Sequence, residues 1–201
     1  EQEILPCRVV GYRTTDLDEL CAAGEVVWRG FDSLGSDDGR IALYLTDQLL
    51  NLAPPPESVD HELGQPVCEL LARRGALFFE DLARCIGGFR NDVLTALWQL
   101  VWAGQVTNDT LAPLRSLRSR RRSARTKTRR RPARGFRSRR LSQQPGSEGR
   151  WSLLVDPGGP LPGTTQQQLA LVGQLIQRYG VLTRELVASE GIRGGFSAIY
   201  P

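Results

Sequence analysis

The 201-residue sequence contains no methionine, not even at position 1, and a single histidine, His61. A chain without an initiator methionine reads as a processed or partial product. Long apolar runs are missing too: nothing approaches the ~18 residues that a membrane span requires. The N-terminal EQEILPCRVV lacks the charged-then-apolar layout of a signal peptide. A soluble, cytoplasmic protein with no membrane partner is expected. Cys7, Cys21, Cys68 and Cys85 form no CxxC pair, and only His61 could assist them. Zinc needs ligands clustered on short loops, so no metal site is expected. The four cysteines read as buried free thiols, since disulfides do not suit a reducing compartment.

Acidic residues are absent from Thr110 to Ser147, and this gap coincides with the densest positive charge in the chain. Arg115, Arg118, Arg120, Arg121, Arg122, Arg125, Lys127, Arg129, Arg130, Arg131, Arg134, Arg137, Arg139 and Arg140 supply fourteen of the 26 basic residues. Outside this strap lie the other twelve and all 22 acidic residues, a balance of −10. Such a strap has too few large apolar residues (Leu117, Phe136, Leu141) to offset chain entropy, and residues 116–149 read as a disordered linker. Its charge makes these fourteen residues the candidate nucleic-acid-binding set, suited to the phosphates of single-stranded or duplex DNA, and of RNA, with little sequence preference. The competing reading is a solvated linker from an arginine-biased genome, since Arg outnumbers Lys 25 to 1.

The rest of the chain is organised around residues 91–115. Val93, Leu94, Leu97, Trp98, Leu100, Val101 and Trp102 recur at helical spacing over most of a helix circumference, with Asn91 and Asp92 able to cap it and Gly104 able to end it. Gln105-Val106-Thr107, then Asn108-Asp109, read as a strand entering a turn. Helices at about His61–Arg74, capped by Asp60, and at Glu80–Cys85 precede it. Three helices followed by a strand and turn make a winged helix-turn-helix. The third helix, which in a DNA reader enters the major groove, has only Asp92, Thr95 and Gln99 as polar positions, with Arg90 at its start. Packing accounts for it better than base reading.

Upstream, residues 3–13 read as a strand and turn, and Thr15 with Asp18 has capping-box spacing at the start of a short helix bearing Leu17, Leu20 and Cys21. The strands EVVWRG and RIALYL follow, their turn carrying Asp32, Asp37 and Asp38, which repel phosphate. Residues 46–60, with Pro54-Pro55-Pro56, read as a stiff connector. Downstream come a strand-like GRWSLLVDP, a helix from Thr164 to Tyr179 whose cap pairs Thr164 with Gln167, and a second helix in TRELVASEG. Gln166-Gln167-Gln168 read as a helix start rather than catalytic groups, because alternate helical residues point apart. Leu-x-x-Leu-x-x-Ala-Gly-[Glu/Gln]-Val occurs at 17–26 and again at 97–106 without a gap, and GALFFEDL at 75–82 resembles GVLTREL at 180–186.

The expected fold is mainly α with small β-hairpins, an α+β arrangement of tandem, partly truncated winged helices. The expected boundaries are 1–50 for the closing half of one winged helix, 51–115 for a complete one, 116–149 for the basic linker and 150–201 for the opening half of a third.

The segments LDELCAAGEVVW, GRIALY, GALFFEDL, ALWQLVWAGQVTNDTLAPLR, GRWSLL and YGVLTRELVASEGIRGGFSAIYP together resemble the bacterial large helicase-related (Lhr-type) proteins. The resemblance implies a parent with ATP- and magnesium-dependent motor lobes moving 3′ to 5′ on single-stranded DNA, linked to DNA repair, with this stretch in its winged-helix extension. The sequence has no GxxxxGK[S/T] and no true DExH box, so no ATP site, no cofactor and no catalytic residue are carried over. A nucleic-acid-binding or scaffolding segment is the leading expectation, with the motor lobes as partner. A DNA glycosylase-type module, by likeness of fold, and a protein–protein interaction module are the alternatives.

Overall fold

The computed structural model describes residues 3–35, 38–126, 144–155, 159–192 and 194–199, without the side chains of residues 120–126 and Ala198. In chain order the elements are α1 (Ile4–Arg8), α2 (Thr14–Ala22), β1 (Val26–Ser33), β2 (Gly39–Leu45), α3 (Leu49–Leu52), α4 (Gly64–Arg74), β3 (Leu77–Phe78), α5 (Phe79–Ile86), α6 (Arg90–Trp102), β4 (Val106–Asn108), α7 (Ala112–Thr126), β5 (Arg150–Leu153), α8 (Thr164–Tyr179) and α9 (Arg184–Ser189). They divide into two units, one of residues 1–44 and 56–157, the other of residues 45–55 and 158–201. The α+β class with small antiparallel sheets and winged-helix units stands as expected.

The core of the first unit forms around α6 because that helix is apolar on nearly every side. Val93, Leu94, Ala96, Leu97, Trp98, Leu100, Val101 and Trp102 are all buried. Val67, Leu70 and Leu71 of α4 and Phe79 and Leu82 of α5 pack into the same cluster. Asn91 and Asp92 fall inside the first turn, and Phe89 is the N-cap. The N-cap of α4 is Leu63, with no side-chain cap from Asp60; just before the helix, His61 Nδ1 accepts from the Leu63 amide at 3.1 Å.

The sheet of this unit corrects the expected boundaries. Its order is β3-β5-β4, with Leu77 opposite Trp151 and Asn108 opposite the same Trp151. The strand at 150–153, expected to open a third unit, therefore completes the sheet of the second. Helix–strand–helix–helix–strand–strand is the winged-helix order, and everything between β4 and β5 occupies the position of the wing. The basic strap is thus an insertion into the winged helix rather than a linker after it. It is also packed at both ends: α7 continues to Thr126, Leu117 is buried at 5% exposure, and Ser147 is buried at the returning end. Composition alone missed the burial of Leu117 and Ser147. Residues 127–143 lie outside the described residues.

The repeated motif is a repeated cap. At the end of α2 the amides of Ala23, Gly24 and Glu25 bond the carbonyls of Glu19, Cys21 and Leu20; at the end of α6 those of Ala103, Gly104 and Gln105 bond Gln99, Val101 and Leu100. Gly24 (φ 76°) and Gly104 (φ 71°) take the left-handed conformation that this turn demands and that side chains disfavour.

Several local expectations change. Residues 4–8 are helical rather than extended. The capping box of α2 pairs Arg13 with Asp16, not Thr15 with Asp18. Leu20 is exposed while Leu17 and Cys21 are buried. The connector contains a 3-10 turn at Thr46–Gln48 and then α3. In the second unit α3 packs against α8 with Leu49 buried, α8 starts at the N-cap Gly163 without a Thr164 side-chain cap, and Thr183 caps α9 by accepting from the Leu186 amide at 3.2 Å.

Two of the four thiols are exposed, Cys7 and Cys85, against the expected burial of all four. Cys21 is buried, and burial pushes the Cys68 thiol above its usual range. A thiol-reactive chromophore at neutral pH is therefore expected to modify two groups rapidly and the other two only on unfolding, and peptide mapping should place the fast sites at Cys7 and Cys85. Four thiols reacting at one rate would contradict the burial of Cys21.

Candidate nucleic-acid interface

Two features lie on the winged-helix unit, a basic insertion and a groove. The insertion leaves β4 through a clasp in which the Arg150 amide donates to Asp109 Oδ1 (2.8 Å), the Arg150 Nε donates to Asp109 Oδ2 (2.7 Å) and the Asp109 amide donates to the Arg150 carbonyl (3.1 Å). Asn108 braces the same ends, accepting from the Thr110 amide and donating to the Glu148 carbonyl at 2.9 Å. Ser116 Oγ donates to Glu148 Oε2 (2.9 Å) and accepts from the Gly146 amide (2.6 Å), tying α7 to the returning chain.

The fourteen predicted phosphate ligands divide accordingly. Arg115 is committed to the fold: its guanidinium donates to both oxygens of Asp18 (2.6 and 3.1 Å) and to the Thr14 carbonyl. Asp18 also accepts from the amide of Leu111, the residue before α7, at 2.8 Å, so the pair fixes the start of the basic helix onto α2. Arg118 is exposed. Arg120, Arg121, Arg122 and Arg125 stand on α7, with side chains outside the described residues. Lys127, Arg129, Arg130, Arg131, Arg134, Arg137, Arg139 and Arg140 lie outside them altogether.

The groove, of about 720 Å³, runs along the polar face of α6. Its floor is Leu94, Trp98, Trp102 and Leu117, all buried; Asn91, Thr95 and Gln99, one turn apart, rise along one side. The opposite wall is the β1–β2 hairpin, with Phe31, Asp32 and Ser33, together with Glu57 and Ser58. Gln144, on the returning strap, closes one end and donates from its amide to Asn91 Oδ1 at 2.5 Å. The hairpin approaches so closely because Gly30 and Gly39 have no side chains: a Cβ at Gly30 would lie 2.4 Å from the Val101 carbonyl oxygen, and one at Gly39 would lie 2.5 Å from the Trp102 ring. Helix α6 is therefore walled on this face and not free to enter a major groove. Sequence reasoning noted Thr95, Gln99 and the acidic turn separately. The one legible signal that they share a site was the polar stripe at every fourth position of an otherwise apolar helix.

The helix-turn-helix is pinned by Arg90, which holds both Glu80 oxygens and keeps the Glu80 carboxyl below its usual range through that hydrogen bond. Arg29, 3% exposed, lies over Phe31 at 5.2 Å and is desolvated enough to lower its pKa. Among the described residues no cluster of three His, Cys, Asp or Glu could hold a metal ion, and no helix is long and apolar enough to cross a membrane.

Comparison with known proteins agrees with this architecture. Residues 1–46 and 162–201 each match a family described as "Large helicase-related protein, winged-helix domain". The "Lhr helicase/uracil glycosylase" of Escherichia coli (strain K12) is 38% identical over 219 aligned residues, covering 99% of this chain. The "Lhr helicase/ probable uracil glycosylase" of Mycolicibacterium smegmatis is 35% identical over 213, covering all of it. The chain spans 14% of the length of each relative. A winged-helix sheet with its wing position filled by a basic insertion, flanked by two large-helicase-related winged-helix segments, places the chain in the winged-helix region of the Lhr-type helicase family.

Proposed function

We propose that this chain is a nucleic-acid-binding module of an ATP-dependent 3′–5′ DNA helicase acting in DNA repair in the bacterial cytoplasm, and that its basic wing is the phosphate-binding element. The observation that carries the reading is the placement of the strap between β4 and β5. The described ends of that insertion stand beside the groove: Leu117 and Gln144 line it, and Arg118, next to Leu117, is exposed. The balance of −10 elsewhere directs polyanions to this element. The motor lobes, with their ATP and magnesium, would be the covalent partner. The residues here do not fit those groups, since the sequence has no phosphate loop and the described residues no metal cluster.

Salt dependence tests this directly. If about five to eight phosphates are engaged, log K should fall against log salt with a slope of roughly −3.5 to −7, on single- and double-stranded DNA alike. Converting Arg118, Arg121, Arg122, Arg125, Arg129 and Arg130 to glutamine should flatten the slope by about 0.9 per lost duplex contact. Charge substitution is the cleaner variant, because deleting residues 116–140 would also take Leu117 from the core. An unchanged slope in the substituted chain rejects the strap as the phosphate ligand.

A second reading, a DNA glycosylase-type module, draws on the names of both relatives and on two carboxylates, Asp32 and Glu57, in one groove. Release of uracil from labelled DNA by this chain, lost in Asp32→Asn, would support it.

A further inference from the structure

We infer that the groove on α6 is a binding site for a single unpaired nucleobase, and specifically for one that carries an exocyclic amino group. The inference rests on the reading of the chain as a nucleic-acid-binding module and adds what enters the groove.

Size and lining come first. About 720 Å³ falls within the ~300–1,000 Å³ of clefts that bury drug-sized ligands, which admits a base together with its sugar and is far too small for a duplex. Its apolar floor and convergent polar rim are the pattern such clefts share. Trp98 and Trp102, with ring centroids 5.2 Å apart, and Phe31 on the facing wall provide aromatic surfaces for a planar ring.

Charge then selects the part of the nucleotide that enters. Among the described residues that line it, the groove presents Asp32 and Glu57 and no basic side chain; Arg40, outside the lining, reaches the exposed Asp32 carboxylate only at 3.7 Å. A phosphate would be repelled, whereas the phosphates of a strand can lie outside at the exposed Arg118 of α7, next to Leu117 of the groove floor. Backbone outside and base inside is the geometry of a strand whose base has left the stack.

The polar rim reads the base edge. Carboxylates only accept hydrogen bonds, so Asp32 and Glu57 favour bases that offer N–H donors. The amides of Asn91, Gln99 and Gln144 each both donate and accept, satisfying ring nitrogens and carbonyls without discriminating. Cytosine, whose N4 amino group offers two N–H donors at the open end of its edge, should be preferred over uracil, which has a carbonyl at that position and a single donor, N3–H, flanked by two carbonyls that a carboxylate repels.

The test uses the full chain and labelled single strands of about twelve nucleotides, oligo-dC and oligo-dU, read by fluorescence anisotropy at one salt concentration. One donor bond to a carboxylate corresponds to about tenfold tighter binding of oligo-dC. Thr95→Phe, at an exposed helical position on the side of the groove, should narrow it over Trp98 and bring the two strands to equal affinity. If that chain is destabilised on thermal melting, Asp32→Asn with Glu57→Gln keeps the shape and should likewise erase the preference. The arginine-to-glutamine strap variant should weaken both strands together and keep their ratio. Equal binding of oligo-dC and oligo-dU by the unaltered chain, or a preference that survives both groove variants, overturns the nucleobase site while leaving the phosphate-binding wing standing. A strap variant that binds both strands as the unaltered chain does overturns the wing instead.

Discussion

Trp98→Ala is expected to destabilise the winged-helix unit by about 3–5 kcal/mol. Three separate attachments meet in this side chain. Its ring packs against Trp102 at 5.2 Å and edge-on against Trp151 at 5.6 Å, joining α6 to the middle strand of the sheet. Its indole N–H donates to the Gly146 carbonyl at 2.9 Å, so it also holds the returning end of the strap. Gly146 leaves no room for compensation, because a Cβ there would meet Leu117 at 2.8 Å and the Trp98 nitrogen at 3.1 Å. Alanine removes the ring contacts, opens a cavity beneath the groove and orphans a carbonyl at once. Urea denaturation should show a lower midpoint at an unchanged slope. A loss below about 1 kcal/mol, smaller than a typical buried truncation, would mean that Trp98 is not the joint between helix and sheet.

The second large effect comes from the repeated cap. Gly104→Ala should cost about 2–4 kcal/mol, against about 1–2 kcal/mol for Gly24→Ala, although both glycines sit at the same place in the same turn. Each alanine suffers the left-handed conformation, at φ 71° and 76°. At Gly24 nothing lies within 4 Å of the new methyl, so conformational strain is the whole effect. At Gly104 the methyl would lie 2.2 Å from Arg29 Nε, and the guanidinium is 3% exposed beneath it. Moving a desolvated charge is harder than moving an alkyl chain. Thermal or urea unfolding of both variants gives the comparison. Equal losses would show that Arg29 yields freely and that this contact does not shape the unit.

The elements most legible in the sequence were those set by a single local pattern. The apolar sweep from Val93 to Trp102 gave α6 and its burial, and the Ala-Gly-[Glu/Gln]-Val motif gave both caps. What escaped had long-range causes. Nothing local says that Arg150–Leu153 pairs with Leu77–Phe78 and Val106–Asn108, since an insertion of some forty residues separates β4 from the central strand of the sheet. Arginine density hid Leu117, whose burial depends on Trp98 and Gly146 far away in sequence. The groove was invisible for the same reason. Its two carboxylates come from a hairpin and a connector, and only the glycines at 30 and 39 allow that hairpin onto α6. Arg115 was grouped with its neighbours by charge, yet Asp18, 97 positions away, claims it.

The clasp between Asp109 and Arg150 has a consequence for how the family can vary. The sheet registers only the two points where the insertion leaves and returns, and these are held by three hydrogen bonds within 3.1 Å. Closure entropy rises by only about 0.6 kcal/mol when the length between such points doubles. Residues beyond Thr126 and before Gln144 are therefore an adjustable allowance. They can be lengthened, shortened or recharged from one lineage to another without re-registering a strand. If the strap is the phosphate-binding element proposed above, affinity for polyanions would thereby be released from the demands of folding and could be tuned by mutation in one stretch alone.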